Sequence, residues 1–240
     1  MLSYGKTDIG LKRSMNQDNI FYSDESVGPL PNLYIVADGM GGHKAGDYAS
    51  SYAVRRFTEF VKRCEDENPL TIMKKGIQTV NQGMLAASQS REDLSGMGTT
   101  FVIAVVKDHH LYVANIGDSR LYVIEKGNIR QVTLDHSLVE ELIRTGQLDP
   151  LKVRNHPEKN IITRALGIGD DAIPDFFELE LTMDEEILLC SDGLTNMVED
   201  DEILNIITEE RDPRAAVERL IERANYYGGK DNIAALVVTQ

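Results

Sequence analysis

The chain has 240 residues, which fits one large domain or two small ones, and its hydrophobic content of 42% is ample for a sizeable core. Its formal net charge of −14 argues against nucleic acid or an anionic membrane as a partner, because such ligands select basic patches. No apolar run approaches the roughly 18 residues that span a bilayer, and the first residues do not resemble a secretion signal, so we expect a cytoplasmic protein.

Extended segments are indicated by alternating polarity and by β-branched and aromatic residues. They lie at about 2–8, 19–23, 33–38, 99–106, 110–116, 119–125, 129–133, 176–182, 185–191 and 233–239. Three successive strands between residues 99 and 125 are joined by connections too short for a helical crossover, so they must pair antiparallel. This excludes a doubly wound parallel sheet.

Helical periodicity is found in segments that cluster in pairs and do not alternate with the strands. These segments lie at about 46–63, 69–89, 137–145, 200–209 and 213–227. Antiparallel strands with grouped helices predict an α+β layer architecture. We interpret residues 1–240 as a single domain in which the polar segment at about 135–171 is a compact insertion beside the site.

Four aspartates stand where a hydrophobic run meets a turn, namely Asp38, Asp118, Asp192 and Asp231. Strand ends line one rim of a sheet, so acids that are distant in sequence can converge there. Carboxylates repel each other at short range, and a divalent cation removes that cost. Ligation by oxygen alone points to Mg²⁺ or Mn²⁺. A single Asp-Gly pair is also ordinary tight-turn chemistry, so the metal prediction depends on the set of four.

Arg13 precedes a predicted strand and is a candidate phosphate ligand. Its planar guanidinium can donate two parallel hydrogen bonds to a tetrahedral oxyanion, although taken alone it also fits a surface arginine. The two cysteines, Cys64 and Cys190, are far apart and lack C-x-x-C spacing, so neither a zinc site nor a disulfide framework is indicated. Cys190 lies in an apolar strand, where we expect it to be part of the core.

With these acids and Arg13, the chain resembles the metal-dependent PPM family of protein serine/threonine phosphatases, the type 2C phosphatases, in their short bacterial form. Each matching string is modest, but together they occur in the family's order over essentially the whole chain. The strings are Arg13-x-x-Asn16-Gln17-Asp18, Ala37-Asp38-Gly39-Met40-Gly41-Gly42-His43, Met97-Gly98-Thr99-Thr100, Gly117-Asp118-Ser119-Arg120-x-Tyr122, Asp135-His136-Ser137, Ser191-Asp192-Gly193-Leu194 and Gly229-Lys230-Asp231-Asn232.

The resemblance implies a central sandwich of two antiparallel β-sheets flanked by helix pairs, in α-β-β-α layers, with residues 135–171 as a flap beside the active site. It also implies a dinuclear Mn²⁺ or Mg²⁺ centre at one end of the sandwich. Asp38 would bridge the two ions and the Gly39 carbonyl would ligate one of them. Asp192 and Asp231 would hold the other ion.

Further roles follow from the same resemblance. Asp18 would bind metal-coordinated waters, and Arg13 would hold the substrate phosphate. Short bacterial members often bind a third, weaker ion, and Asp118 together with Asp192 matches its ligands. The implied mechanism is direct in-line attack by a water or hydroxide that bridges the metals, without a phospho-enzyme.

The acid that protonates the leaving group is left unassigned by the sequence. Met40 stands where eukaryotic relatives carry a histidine, and a thioether cannot transfer a proton. His43 is one candidate and a metal-bound water is another, while a structural histidine in a glycine turn is the ordinary alternative. His136 and His156, in the flap segment, are further candidates.

The predicted function is hydrolysis of phosphoserine and phosphothreonine in proteins, opposing a bacterial serine/threonine kinase. The expected partners are phosphorylated proteins, including that kinase and its substrates, and we expect a monomer. Two alternatives stay open. One is a catalytically silent domain of this fold that binds phosphoproteins, although none of the matching acids is missing. The other is an enzyme for a small phosphorylated metabolite, since substrate choice depends on surface grooves and the flap.

Overall fold

The computed structural model describes residues 1–42, 45–125, 127–149, 152 and 156–240. The strands are β1 (Leu2–Asp8), β2 (Asp18–Ser23), β3 (Leu33–Met40), β4 (Gly98–Thr99), β5 (Phe101–Lys107), β6 (His110–Ile116), β7 (Arg120–Glu125), β8 (Asn128–Gln131), β9 (Asp175–Glu180), β10 (Glu186–Cys190) and β11 (Ile233–Thr239). The helices are α1 (Ala45–Lys62), α2 (Pro69–Ser90), α3 (Leu138–Arg144), α4 (Asp192–Thr195), α5 (Asp200–Glu209) and α6 (Pro213–Tyr226).

Two antiparallel sheets form the centre of the molecule. The first has the order β1-β11-β10-β7-β8 and the second β2-β3-β5-β6-β9, with the short β4 paired to the end of β3. Alternate residues of β11 show how the layers are built. Ala234, Leu236 and Val238 pack between the sheets, whereas Ala235 and Val237 pack under the helices on the outer face. Because both faces are covered, the strand is apolar at every position before Thr239.

Helix pairs cover both outer faces of the sandwich. The pair α1 and α2 packs on the second sheet, where Phe57 of α1 meets Phe101 of β5 edge to face at 5.5 Å between ring centroids. The pair α5 and α6 packs on the first sheet. Caps define where two of these helices begin: the Asn68 side chain accepts from the Thr71 N–H, and the Asp212 side chain accepts from the Arg214 N–H. The predicted α+β sandwich is therefore confirmed.

The predicted element boundaries agree with the observed ones to within about two residues, and two short elements were not predicted separately. β3 continues through Asp38 to Met40, so the first aspartate of the predicted site lies inside the strand. The two-residue strand β4 and the four-residue helix α4 are too short to show a period in the sequence. None of the described helices has both the length and the apolar character needed to cross a membrane.

The described part of the segment 135–171 folds back on itself and pairs with the sandwich at β4. α3 begins after Ser137, whose hydroxyl accepts from the Glu140 N–H. Isolated bridges join Ser137 to Ile162 and Thr99 of β4 to Leu166. Residues 150, 151 and 153–155 lie outside the described residues. The division into one domain with a flap stays a prediction.

Candidate active site

The ends of strands from both sheets bring the predicted acids to one rim. Asp18 begins β2 and is the direct antiparallel partner of Asp38 in β3. Asp118 follows β6, Asp192 follows β10, and Asp231 precedes β11. Because β10 and β11 are antiparallel, the end of the former and the start of the latter lie at the same edge of the first sheet.

A cleft of about 240 Å³ opens at this rim. The residues that line it include Arg13, Asp38, Gly39, Asp118, Asp192 and Asp231. Asp18 lies behind this surface and is buried. Seven of the predicted site residues are thus brought together, whereas His43 lies outside the described residues. Their individual roles stay predictions.

Burial and mutual repulsion raise the pKa values of the clustered carboxyl groups. Burial raises the pKa of Asp18 to about 7 against the hydrogen bond from Ser191, and the charges of Asp192 and Asp231 raise it further. Burial, with the charge of Asp192, raises the pKa of Asp118 to about 8. Burial also raises the pKa of Asp192 to about 6, and Asp38 shifts in the same direction for the same reasons. The site therefore has a deficit of positive charge.

The donor set fits divalent cations. One carboxylate oxygen of Asp18 and one of Asp192, the Oδ1 atom in each case, are buried without a hydrogen-bond partner. A buried oxygen with no partner is costly, and a hard cation would supply the missing partner. Within the described part of the chain, no three Asp, Glu, His or Cys side chains lie close enough together to coordinate one metal ion as they stand. Repulsion between bare carboxylates favours that spread arrangement.

Arg13 lies within reach of the acids, but in this structure it binds one of them. Its Nη2 atom is 2.6 Å from Asp231 Oδ2, and both side chains are partly exposed. Exposed ion pairs of this kind contribute little stability, on the order of 0–1 kcal/mol, so the guanidinium can change partners at small cost. This position is compatible with a later contact to a phosphate in the cleft.

Hydroxyl groups beneath the cleft orient the acids. Ser191 Oγ donates to Asp18 Oδ2 at 2.7 Å and accepts from the Ala234 N–H at 2.8 Å. Thr100 Oγ1 accepts from the Asp38 N–H at 2.9 Å. The matching strings contained these residues, but nothing in their spacing indicated which acid each would hold.

Two asparagines complete this support. Asn232 Nδ2 donates to the carbonyls of Ile9 and Met15, at 3.0 and 2.9 Å, which fixes the loop that carries Arg13. Asn196 Nδ2 donates to Asp192 Oδ2 at 2.8 Å. Sequence reasoning missed Asn196 because it lies one helical turn after Asp192, directly after the helix α4 that no periodicity revealed.

Backbone approaches at the site require glycine. A Cβ at Gly39 would lie 2.0 Å from the Gly46 carbonyl oxygen, and one at Gly193 would lie 1.8 Å from that of Asn232. Both distances are below any real Cβ contact, so each Asp-Gly pair is explained by close packing as well as by turn geometry. The glycine after each aspartate lets β3 approach α1 and lets α4 approach the start of β11.

The remaining histidine candidates do not line this cleft. His136 is buried, and its Nε2 atom is 3.0 Å from Asp175 Oδ2. Burial lowers the pKa of His136, partly offset by Asp175. His156 is not among the residues that line the cleft. Cys190 is fully buried, and burial raises the pKa of its thiol, which agrees with the predicted core position.

A helix-covered sandwich whose sheet edges hold an acid-lined cleft with one arginine is the arrangement of a metal-dependent phosphatase. Residues 9–233 match the family model of protein phosphatase 2C, and the chain belongs to this family. The predictions of the family, of the fold and of a phosphatase are thereby confirmed.

Named relatives and solved structures agree with this family assignment. The chain is 42% identical over 239 residues to the serine/threonine phosphatase stp of Listeria welshimeri, covering 97% of this chain and 93% of that protein. It also superposes on the crystal structure of serine/threonine phosphatase Stp1 from Staphylococcus aureus with a TM-score of 0.92 and 32% identity, covering 99% and 94% of the two chains. The catalytic domain of the phosphatase PstP, solved with two manganese ions, gives a TM-score of 0.87 at 30% identity, covering 98% and 96%.

Proposed function

We propose that this chain hydrolyses phosphoserine and phosphothreonine in proteins with the help of divalent ions, Mn²⁺ or Mg²⁺. The observation that carries the proposal is the convergence of Asp38, Asp118, Asp192 and Asp231 in one cleft that Arg13 also lines. Oxygen donors alone suit these two hard cations. The manganese ions of the similar PstP structure add support.

Each acid has a proposed place in the site. Asp38 would serve both ions of a pair, the Gly39 carbonyl would serve one of them, and Asp192 and Asp231 would serve the other. Asp118, together with Asp192, would hold a weaker third ion. The buried and unpartnered Oδ1 atom of Asp192 supports its use as a ligand.

Asp18 is proposed to hold metal-coordinated water from behind the cleft, where Ser191 fixes its second oxygen. Arg13 is proposed to exchange Asp231 for the substrate phosphate, which offers its guanidinium two parallel hydrogen bonds. The metal ions supply a water of lowered pKa and neutralise charge on the phosphoryl oxygens. His43 remains a candidate for the leaving-group acid.

The proposed substrates are phosphorylated proteins, among them a serine/threonine kinase and the proteins that it phosphorylates. A monomer in the cytoplasm is the working proposal. The acidic net charge of −14 makes nucleic acid and anionic membranes poor partners.

The direct test is hydrolysis of a phosphothreonine peptide by the purified protein, with and without added Mn²⁺. We expect turnover only with metal, and we expect Asp38→Ala and Asp192→Ala to abolish it. Asp184→Asn, a change at an exposed turn position, is the matched control and should behave as the unchanged protein. Turnover that persists without metal, or in the Asp38→Ala protein, would refute the proposed mechanism.

The substrate class needs a second comparison. Rates on phosphopeptides and on a panel of small phosphorylated metabolites, measured under the same metal conditions, separate a protein phosphatase from a metabolite phosphatase. We expect higher kcat/KM values for phosphopeptides. A clear preference for one metabolite would overturn the proposal that proteins are the substrates, while the proposed need for divalent ions would stand.

The third ion is tested at Asp118. Since Asp118 lies beside Asp192 and is proposed to serve only the weaker ion, Asp118→Ala should lower turnover and leave two Mn²⁺ ions bound in titration calorimetry. Unchanged turnover in this variant would rule the role out.

A further inference from the structure

The loop that carries Asp118 is held by backbone contacts on both sides of Gly117. Gly117 has φ +106°, and a Cβ there would lie 2.6 Å from the Thr100 side chain, so the loop has one narrow path. The Gly117 carbonyl accepts from the His136 N–H at 3.0 Å and from Asn115 Nδ2 at 3.2 Å. The Gly117 N–H donates to His136 Nδ1 at 3.1 Å. His136 thus contacts both backbone polar groups of Gly117, the residue before Asp118.

The imidazole of His136 has one consistent tautomer. Because Nδ1 accepts from the Gly117 N–H, the ring proton must be on Nε2, which donates to Asp175 Oδ2 at 3.0 Å. Arg164 Nη1 binds the other oxygen of Asp175 at 3.0 Å. A carboxylate held in this way fixes both the tautomer and the orientation of the ring.

The same histidine is joined to the returning part of the flap segment. The His136 carbonyl accepts from the Thr163 N–H at 2.8 Å, and Ser137 bridges to Ile162. His136 therefore lies between the Asp118 loop on one side and residues 162–163 on the other. No hydrogen bond of the imidazole reaches the cleft acids themselves.

We propose that His136 is a positioning residue, which sets the backbone of Gly117 and thereby aims Asp118 at the third metal ion. The inference rests on the proposed metal role of Asp118. Residues that orient ligands from behind in this way typically change metal affinity or activity by roughly 10- to 100-fold when mutated. His136 also links the Asp118 loop to the returning part of the flap segment, directly through Thr163 and by way of Asp175 through Arg164.

Two substitutions separate the two ring nitrogens. In His136→Asn, the amide oxygen can take the place of Nδ1 and still accept from Gly117. In His136→Gln, the amide group reaches instead toward the position of Nε2 and Asp175. We expect His136→Asn to stay close to the unchanged protein in its binding of Mn²⁺. We expect His136→Gln to weaken the loosest Mn²⁺ site by roughly 10- to 100-fold, with the two tighter sites retained.

The readouts are Mn²⁺ titration calorimetry, the Mn²⁺ concentration for half-maximal phosphopeptide hydrolysis, and hydrogen exchange of the Gly117 amide in protein labelled with ¹⁵N-glycine. A merely structural role would lower the melting temperature of both variants without separating them in metal affinity. Positioning predicts fast Gly117 exchange in His136→Gln and slow exchange in His136→Asn, even in metal-free protein.

His110→Gln is the matched control, because His110 begins β6 at the end remote from Asp118. Asp175→Ala gives a second test if His136→Gln does not fold. It removes the carboxylate that fixes the tautomer and orientation of the imidazole, which the amide of His136→Asn does not need, so it should weaken the same Mn²⁺ site. Equal Mn²⁺ affinities and equal Gly117 exchange in both His136 variants would overturn the inference. If the unchanged protein showed no metal-dependent hydrolysis, that would contradict the proposed function instead. The exchange rate of the Gly117 amide would still show whether His136 positions Gly117.

Discussion

At the scale of single residues, Asp38 illustrates the conflict between stability and function. It is surrounded by Asp18, Asp192, Asp118 and Asp231, and burial together with these charges holds its pKa well above the ordinary value. In metal-free protein this arrangement costs free energy, because close like charges repel. Positive charge brought by bound ions would remove that cost.

We predict that Asp38→Asn raises the melting temperature of the metal-free protein and abolishes its metal-dependent turnover. The amide keeps the shape of the side chain and removes one charge from the cluster. Circular dichroism melting after treatment with a chelator measures the first effect, and phosphopeptide hydrolysis measures the second. Asp184→Asn, at an exposed position, should change neither. A lower melting temperature for Asp38→Asn would contradict the repulsion argument.

The same groups predict how stability depends on pH. Their folded-state pKa values, about 7 for Asp18, about 8 for Asp118 and about 6 for Asp192, lie above the ordinary carboxyl range. The folded state therefore binds more protons than the unfolded state, so this stabilisation decreases as pH rises above the ordinary carboxyl pKa of 3.8 and is fully lost above about 8. Metal-free protein should melt at progressively lower temperature over that window, and saturating Mn²⁺ should reduce the slope. A melting temperature that rises with pH would have the wrong sign.

At the scale of elements, the contact between β3 and α1 positions the site. Gly39 is the second-last residue of β3 and faces the Gly46 carbonyl at the start of α1. The Gly39 N–H donates to the Gln17 carbonyl. The strand that carries Asp38 is thus enclosed by the preceding loop and by the helix. No side chain larger than hydrogen fits at position 39.

We therefore predict that Gly39→Ala lowers the free energy of unfolding by about 1–3 kcal/mol, the usual cost of overpacking. Its turnover should also fall, because the added methyl displaces the backbone that carries Asp38. Gly42→Ala is the control, since a Cβ there meets nothing within 4 Å. Urea unfolding and phosphopeptide kinetics measure both effects. Equal stability of the two variants would show that α1 yields without cost.

At the scale of the whole molecule, the site depends on contacts between the two ends of the chain. β1 pairs with β11, and Arg13 meets Asp231 across 218 positions of sequence. The interface between the sheets keeps both sets of strand ends at one rim. Its residues, such as Leu236 of β11, are fully buried. They do not line the cleft, but they hold together the strands whose ends do.

Leu236→Ala should lower the free energy of unfolding by about 2–5 kcal/mol, the range found for large cavities in cores. The protein that remains folded should keep its Mn²⁺ affinity, because no cleft residue is changed. Leu2→Ala, at a position that is 58% exposed, is the control. If the chain is a single domain, as predicted, the urea transition of each variant should stay single. Two separate transitions would indicate independent units.

Most elements could be predicted because their signals are local. Apolar runs mark the strands of the sandwich, and N-caps such as Asp212 mark helix starts. The acids of the cleft could be predicted for a related reason, since each stands where a strand meets a turn. Three features could not be predicted. The β4 strand depends on pairing with β3, and the α4 helix is only one turn long. The His136–Asp175 pair is a contact between residues 39 positions apart.

The sequence by itself determined the α+β class, the strand and helix segments, and the residues with the chemistry for metal and phosphate. Those properties follow from periodicity, turn residues and ionisable groups, which are all readable along the chain. Only the tertiary structure decided which groups face each other. Ser191 on Asp18, Arg13 on Asp231 and His136 on Gly117 are long-range contacts, and each depends on the register of two sheets packed face to face.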